Sequence, residues 1–225
     1  MGRLLAIEGI DGSGKGTQAQ RLTQRLRQAS YSVSLLSFPR YDQTLFGQVI
    51  GDFLNGRFGA LDEVDPYVAA LLYAGDRFES RSVLDQALAQ HDVVVCDRYV
   101  ASNIAHQAAK LEGSARRELV EWIERVEHET LQLPVPDLVV LLDVPTDVAQ
   151  ELIATKSRRS YTDRSADLQE ADGGYLERVR HLYLELAATR SNWRKIDCVQ
   201  GGRMLDVESV SGLVWNAVEP LLQQP

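Results

Sequence analysis

Short apolar runs alternate along the chain with longer stretches in which apolar residues recur at three- and four-residue steps. Residues 4–8 (LLAIE), 32–38 (SVSLLSF), 92–97 (DVVVCD), 138–144 (LVVLLDV) and 195–199 (KIDCV) read as strands. Three of these runs are almost continuously apolar, as parallel strands covered on both faces are. Between them, Ala19, Leu22, Leu26 and Ala29 mark one apolar helix face. Leu45, Val49 and Phe53 mark a second, Leu119, Trp122, Ile123 and Val126 a third, and the series from Val207 to Leu221 a last. Such alternation predicts right-handed crossovers and a parallel sheet with helices on both sides. No internal repeat or long linker interrupts it, and a single domain over 1–225 is expected.

One segment breaks the pattern. Residues 155–173 carry Lys156, Arg158, Arg159 and Arg164 beside Asp163, Asp167, Asp172 and Glu170, with little that is apolar. Composition alone reads this as a solvated loop; the sharper reading is a mobile flap over a charged substrate. The remaining composition is that of an ordinary globular chain, 44% hydrophobic and 25% charged. No run of about 18 apolar residues is present, so no membrane span is expected. The start lacks a signal-peptide pattern, and Ala6 breaks a myristoylation motif after Gly2. Cys96 and Cys198, each in an apolar run, read as buried free thiols, which points to the cytoplasm. A net charge of −8 argues against general nucleic-acid binding but leaves room for a local basic pocket.

That pocket has a place. The first predicted strand runs into Gly9, Gly12, Gly14 and Lys15, and a helical pattern follows. Gly9 to Lys15 fits the phosphate-loop spacing G-x-x-x-x-G-K. Such a loop turns backbone N–H groups inward as an anion nest, and the helix N-terminus adds about half a positive charge. The residue after the lysine is Gly16, with Thr17 next, where the strict pattern has Ser or Thr. That removes a hydroxyl often used for magnesium, so the metal leans on other groups; Asp11, Glu8 and Asp97 are the candidates. At the end of the third predicted strand, Arg98 of CDRY can fork onto a phosphate while Asp97 manages a metal or a second arginine; a surface ion pair is the bland alternative. FPRY (38–41) offers Phe38, Pro39 and Tyr41 at the end of the second, and alone would read as core packing. Tyr73 and Arg77, four apart, suit stacking on a base and holding its phosphate, or simply the edge of an amphipathic helix. His91, His106, His128 and His181 show neither metal spacing nor a nucleophilic triad. The chemistry indicated is phosphoryl transfer, which needs positioning and charge neutralisation rather than a covalent nucleophile.

EGIDGSGKGT, FPRY, the Asp–Arg pair at 76–77 and DRYVASN (97–103), in that order over nearly the whole chain, resemble the thymidylate kinase family, most closely its bacterial members. The resemblance implies an α/β, three-layer αβα P-loop kinase fold with a five-stranded parallel sheet and a mobile lid at 155–173. It implies transfer of the ATP γ-phosphate to dTMP with Mg²⁺, in a cytoplasmic homodimer that binds neither nucleic acid nor membrane. Gly9, Gly12, Ser13, Gly14, Lys15, Gly16 and Thr17 would then cradle phosphates. Asp11 would position the dTMP phosphate and metal. Phe38, Pro39 and Tyr41 would line the acceptor site, Tyr73 would stack on thymine and Arg77 would bond to the base. Arg98, with Asp97 beside it, would take the dTMP phosphate, and Ser102, Asn103 and Gln107 would contact base or sugar. Positions 10–13 lack Arg or Lys, so the transition-state cation would come from Arg159 or Arg164, with Asp167 and Glu170 orienting lid or acceptor. His106 stands where related bacterial enzymes often carry a tyrosine near the sugar. The alternatives are another nucleoside monophosphate kinase, a deoxynucleoside kinase, or a nucleotide switch; no N-K-x-D guanine motif supports the last in its GTP form.

Overall fold

In the computed structural model, which describes residues 2–154 and 173–223, five strands form one sheet: β1 (Arg3–Glu8), β2 (Val33–Ser37), β3 (Val93–Asp97), β4 (Leu138–Asp143) and β5 (Trp193–Asp197). Their order is β2-β3-β1-β4-β5, and every neighbouring pair is parallel. The near-continuous apolar strands take the middle: all six residues of β4 are buried, whereas three of the five residues of β5 at the edge are exposed. The expected fifth strand is thus displaced by two residues. The chain leaves the sheet before Cys198, and Val199–Gln200 (β6) pairs instead with Arg203–Met204 (β7) in a small hairpin.

The helices are α1 (Lys15–Gln28), α2 (Leu45–Leu54), α3 (Pro66–Glu79), α4 (Arg81–Gln90), α5 (Val100–Ala108), α6 (Gly113–Glu124), α7 (Thr146–Ala154), α8 (Gly173–Thr189) and α9 (Val207–Leu222). A wide π-turn, Arg125–Thr130, continues α6. From β1 the chain steps through α1 to β2, towards one sheet edge. From β2 to β3, β3 to β4 and β4 to β5 it steps the other way. Right-handed crossovers therefore put α1 on one face and the helices from α2 to α8 on the other. α9 packs against α1, while α5 packs against α3, α6 and α8. The connections leaving β1 and β3 diverge to opposite faces, which opens a crevice beyond the carboxyl ends of these two strands. Both phosphate motifs were expected at those ends.

Helix α2 corrects one expected face. Its sequence, LFGQVIGDFL, is apolar nearly all round, so periodicity cannot choose a side. Contact with α3 decides: Gly47, Ile50, Gly51 and Leu54 are buried with Phe53, while Leu45 is 71% exposed. α3 itself is specified locally, with Asp65 accepting from the backbone N–H groups of Tyr67 and Val68 and Pro66 in the first turn. Both cysteines are buried free thiols, and no described helix is long and apolar enough to cross a membrane.

Just past α5, the Lys110 ammonium is enclosed without a hydrogen-bond partner among the described residues, 5.3 Å from the centre of the Phe53 ring. Burial pushes its pKa down from 10.5 to about 8. Below pH 8 both folded and unfolded chains carry the charge, and the fold bears the full desolvation cost. Between pH 8 and 10.5 only the unfolded chain stays protonated, so this contribution to stability rises with pH. Lys110→Met is expected to stabilise the fold near neutral pH by up to roughly 3 kcal/mol, less the lost cation–π contact. Urea unfolding of both proteins across pH should show this advantage shrinking as pH climbs through that window; a constant or growing advantage would refute it.

Candidate active site

The loop after β1 is shaped by what surrounds it. Gly12 has φ +84°, and a Cβ there would lie 2.3 Å from the Ala149 carbonyl of α7, so only glycine lets the loop seat against that helix. Gly14, also at φ +84°, is the N-cap of α1, and a Cβ on it would project into open space. The loop is thus closed behind and open in front. Lys15 folds back across it, its Nζ donating to the Ile10 carbonyl at 2.7 Å. A Cβ on Gly16 would stand 3.1 Å from Asp97 Oδ2. Position 16 thus lies against a carboxylate from β3, at the first turn of α1.

At the end of β3, Arg98 adopts φ +66°, a conformation unusual for a residue with a side chain, and its N–H bonds to the Ile7 carbonyl. Its guanidinium is pinned on two sides. Nη2 donates to Asp11 of the loop, and Nη1 to Ser102 Oγ at 3.1 Å. Burial disfavours its charge, but the carboxylate of Asp11 and its neighbours outweigh that and hold the group protonated.

Glu8 does not join the cleft. Its carboxylate is fully buried and accepts from Tyr99 N, Ser102 N, Ser102 Oγ and Tyr183 Oη. Burial raises its pKa, and the bonds from Ser102 and Tyr183 and the charge of Arg98 oppose the rise. This is a cap on the N-terminus of α5, with its oxygens committed to protein donors, and not a metal ligand.

The other wall comes from α2, α3 and the turn after β2. Phe38 is buried, its ring centre 6.0 Å from that of Tyr99. The FPRY turn is held by Asp76, whose carboxylate accepts from Arg40 N at 3.1 Å and from Thr44 Oγ1. Its neighbour Arg77, 2% exposed, makes a two-pronged pair with Glu127 on the π-turn, Nη2 to Oε1 being 2.6 Å. The same Glu127 accepts from Asn103 Nδ2 at 2.8 Å. Glu127 was missed in the sequence, although Leu119, Ile123 and Glu127 share one buried stripe; an acid at a core position of a helical pattern announces a buried partner.

These walls enclose a cleft of about 420 Å³. Asp11, Gly14, Lys15, Gly16 and Thr17 border it at one end with Asp97 and Arg98. Phe38, Pro39, Tyr41, Tyr73 and Arg77 border the other, joined by Ser37 and Leu54, which sequence did not flag. Ser102, Asn103, His106 and Gln107 of α5 form the floor. There, Asn103 Oδ1 and both amide atoms of Gln107 are buried without a partner among the described residues. Buried polar atoms are rarely left so, and both residues border a space the size of a small molecule. Gly9, Gly12 and Ser13 lie behind the cradle and do not border the cleft. Arg159, Arg164, Asp167 and Glu170, with the expected lid, lie outside the described residues. No group of three or more His, Cys, Asp or Glu side chains forms a metal cage among the described residues.

Comparison with known proteins agrees with this geometry. The family model described as thymidylate kinase matches residues 7–203. A thymidylate kinase of Mycobacterium tuberculosis is 38% identical over 204 residues, covering 91% of this chain and 90% of the relative. One of Pelotomaculum thermopropionicum is 33% identical over 211 residues, covering 92% and 90%. The solved structure of thymidylate kinase from Candida albicans superposes with a TM-score of 0.74 over 98% of this chain and 92% of that one, at 24% identity, and so supports the three-layer fold. The chain belongs to the thymidylate kinase family.

Proposed function

We propose that the cleft carries out the family reaction, ATP + dTMP → ADP + dTDP, by direct in-line transfer. An oxygen of the dTMP phosphate bonds to the γ-phosphorus of ATP as the bond from that phosphorus to the β,γ-bridging oxygen breaks. ADP leaves with the electron pair. The observation that carries this reading is that two anion-holding devices open into one cleft with an unpaired amide floor between Arg77 and Arg98. The glycine cradle and Lys15 hold ATP phosphates, and Thr17 meets the phosphate nearer its nucleoside. Arg98, steadied by Asp11, takes the acceptor phosphate. Tyr73 covers the thymine ring, Phe38, Pro39 and Tyr41 shape its pocket, and Asn103 Oδ1, Gln107 and Arg77 read its edge. The additional transition-state cation falls to Arg159 or Arg164, because positions 10–13 hold none.

The donors present suit Mg²⁺, which binds through one or two carboxylates and completes its shell with water and substrate phosphates. Asp97, seated against Gly16, and Asp11 are the residues that would hold it. The ion supplies charge neutralisation on the transferring phosphates. A second copy of the chain is the partner. Val68, Leu71 and Phe78 are exposed on one stripe of α3, and Phe46 lies over Gly75 in the same stripe, carrying it onto Leu45 of α2. An apolar face that size fits a subunit contact. Buried free thiols fit a reducing cytoplasm.

A coupled assay with ATP against dTMP, dUMP, dCMP, dGMP and thymidine tests the acceptor. dTMP is expected to be preferred, and turnover of thymidine without dTMP would overturn the reading. Lys15→Ala is expected to lower kcat about 10³-fold, and Arg98→Ala to lower kcat/KM for dTMP by about 10²-fold or more, in proteins with unchanged circular dichroism. Wild-type rates in either folded variant would remove that residue from its role. Light scattering should give twice the chain mass, and Leu71→Glu should halve it; a monomeric wild type would sink the dimer.

A further inference from the structure

We propose that His106 is a positioning residue for Arg98: Tyr175 locks its ring in the Nδ1–H tautomer, and the Nε2 lone pair holds the Arg98 guanidinium in the plane that receives the acceptor phosphate. The proposal rests on Arg98 being the phosphate ligand.

The proton inventory fixes the tautomer. Tyr175 Oη donates its single proton to the His106 carbonyl, at 2.7 Å. Towards His106 Nδ1, 3.1 Å away, that oxygen can only accept, so Nδ1 carries the hydrogen. Nε2 is then the acceptor, and Arg98 Nη1 lies 3.4 Å from it. A guanidinium only donates, so an imidazolium or the other tautomer would set N–H against N–H. Burial, reinforced by the charge of Arg98, lowers the His106 pKa to about 3, while Asp11 works against the shift and Lys15 and Lys110 add to it. The chain of contacts runs from Tyr175, two residues into α8, through His106 on α5 to Arg98 and Asp11 of the phosphate loop. Nη1 is shared between Ser102 and His106, so the guanidinium is held from α5 on one side and from the loop on the other.

The test measures binding of dTMP and of thymidine by calorimetry to wild type, Arg98→Ala, His106→Leu, His106→Gln, Tyr175→Phe and Arg98→Ala/His106→Leu. The ratio of the two affinities isolates the phosphate contact. His106→Leu is expected to cut the ratio about tenfold, the worth of one hydrogen bond to a charged group. His106→Gln, with an oxygen able to accept from Arg98, should recover most of it. Tyr175→Phe should show a smaller loss, and the double variant should lose no more than Arg98→Ala alone. A ratio that collapses in Arg98→Ala but stands in His106→Leu rejects the positioning role and leaves the phosphate reading intact. A ratio unchanged in Arg98→Ala rejects the phosphate reading itself. Equal loss of dTMP and thymidine in His106→Leu would make the residue a packing or sugar contact and overturn the proposal. Should the variants not fold, long-range ¹⁵N spectra of wild type decide: Nδ1 protonated and Nε2 bare near neutral pH is expected, and the reverse refutes it.

Discussion

A single buried carboxylate ties the working parts together. Glu8 ends β1, and its two oxygens receive Tyr99 N and Ser102 N at the start of α5, the Ser102 hydroxyl, and Tyr183 Oη from α8. β1, α5 and α8 thus meet at one carboxylate. Burying it is costly, which the upward pull on its pKa records. Four donors and the N-terminal end of α5 offset the cost. The result fixes where β1 stops and α5 starts, and with them the distance between the glycine cradle and Arg98.

Two arginines then show how environment divides the work of one residue type. Arg77 is 2% exposed, and its Nε and Nη2 are paired with Glu127, which also holds Asn103. That arrangement ties α3, α5 and the π-turn into one wall of the cleft. Arg98 keeps an 18% exposed side chain and borders the cleft. Its partners, Asp11, Ser102 and His106, restrain its direction and leave its outer face to the cleft. In the proposed transfer, which gains chiefly from placed charge, the restraint on Arg98 would serve to position the acceptor phosphate.

Much of this was legible in the sequence, for physical reasons that differ by residue. The central strands declared themselves because burial on both faces leaves no polar alternative for β3 and β4. The cradle was legible because close approach restricts the choice to glycine at defined spacing. Arg98 was placed at the cleft by its position just past β3, and Lys15 by its position at the head of α1 after the glycines. Glu8 was misplaced as a metal candidate because sequence shows an acid beside a phosphate loop but not the donors that fold onto it from residues 99, 102 and 183. Glu127 went unread because its partner lies 50 positions away, although its spacing from Leu119 and Ile123 carried the sign. The face of α2 was undetermined in principle, since a helix apolar all round has two candidate sides and only α3 selects one.

Gly16 shows why departure from a motif is best judged in three dimensions. Read along the chain, it is a lost hydroxyl in a loop that usually supplies one to a metal. In the fold it is the absence of a side chain 3.1 Å from Asp97 Oδ2. A Cβ there would press on the end of the Asp97 side chain, which would have to give by a few tenths of an ångström. Asp97 ends the strand that leads directly into Arg98, so one backbone segment places an acid against the first turn of α1 and a guanidinium at the cleft. Position 16 and the acid at 97 are therefore neighbours in space although 81 residues apart in sequence, and a motif read along the chain does not show that pairing.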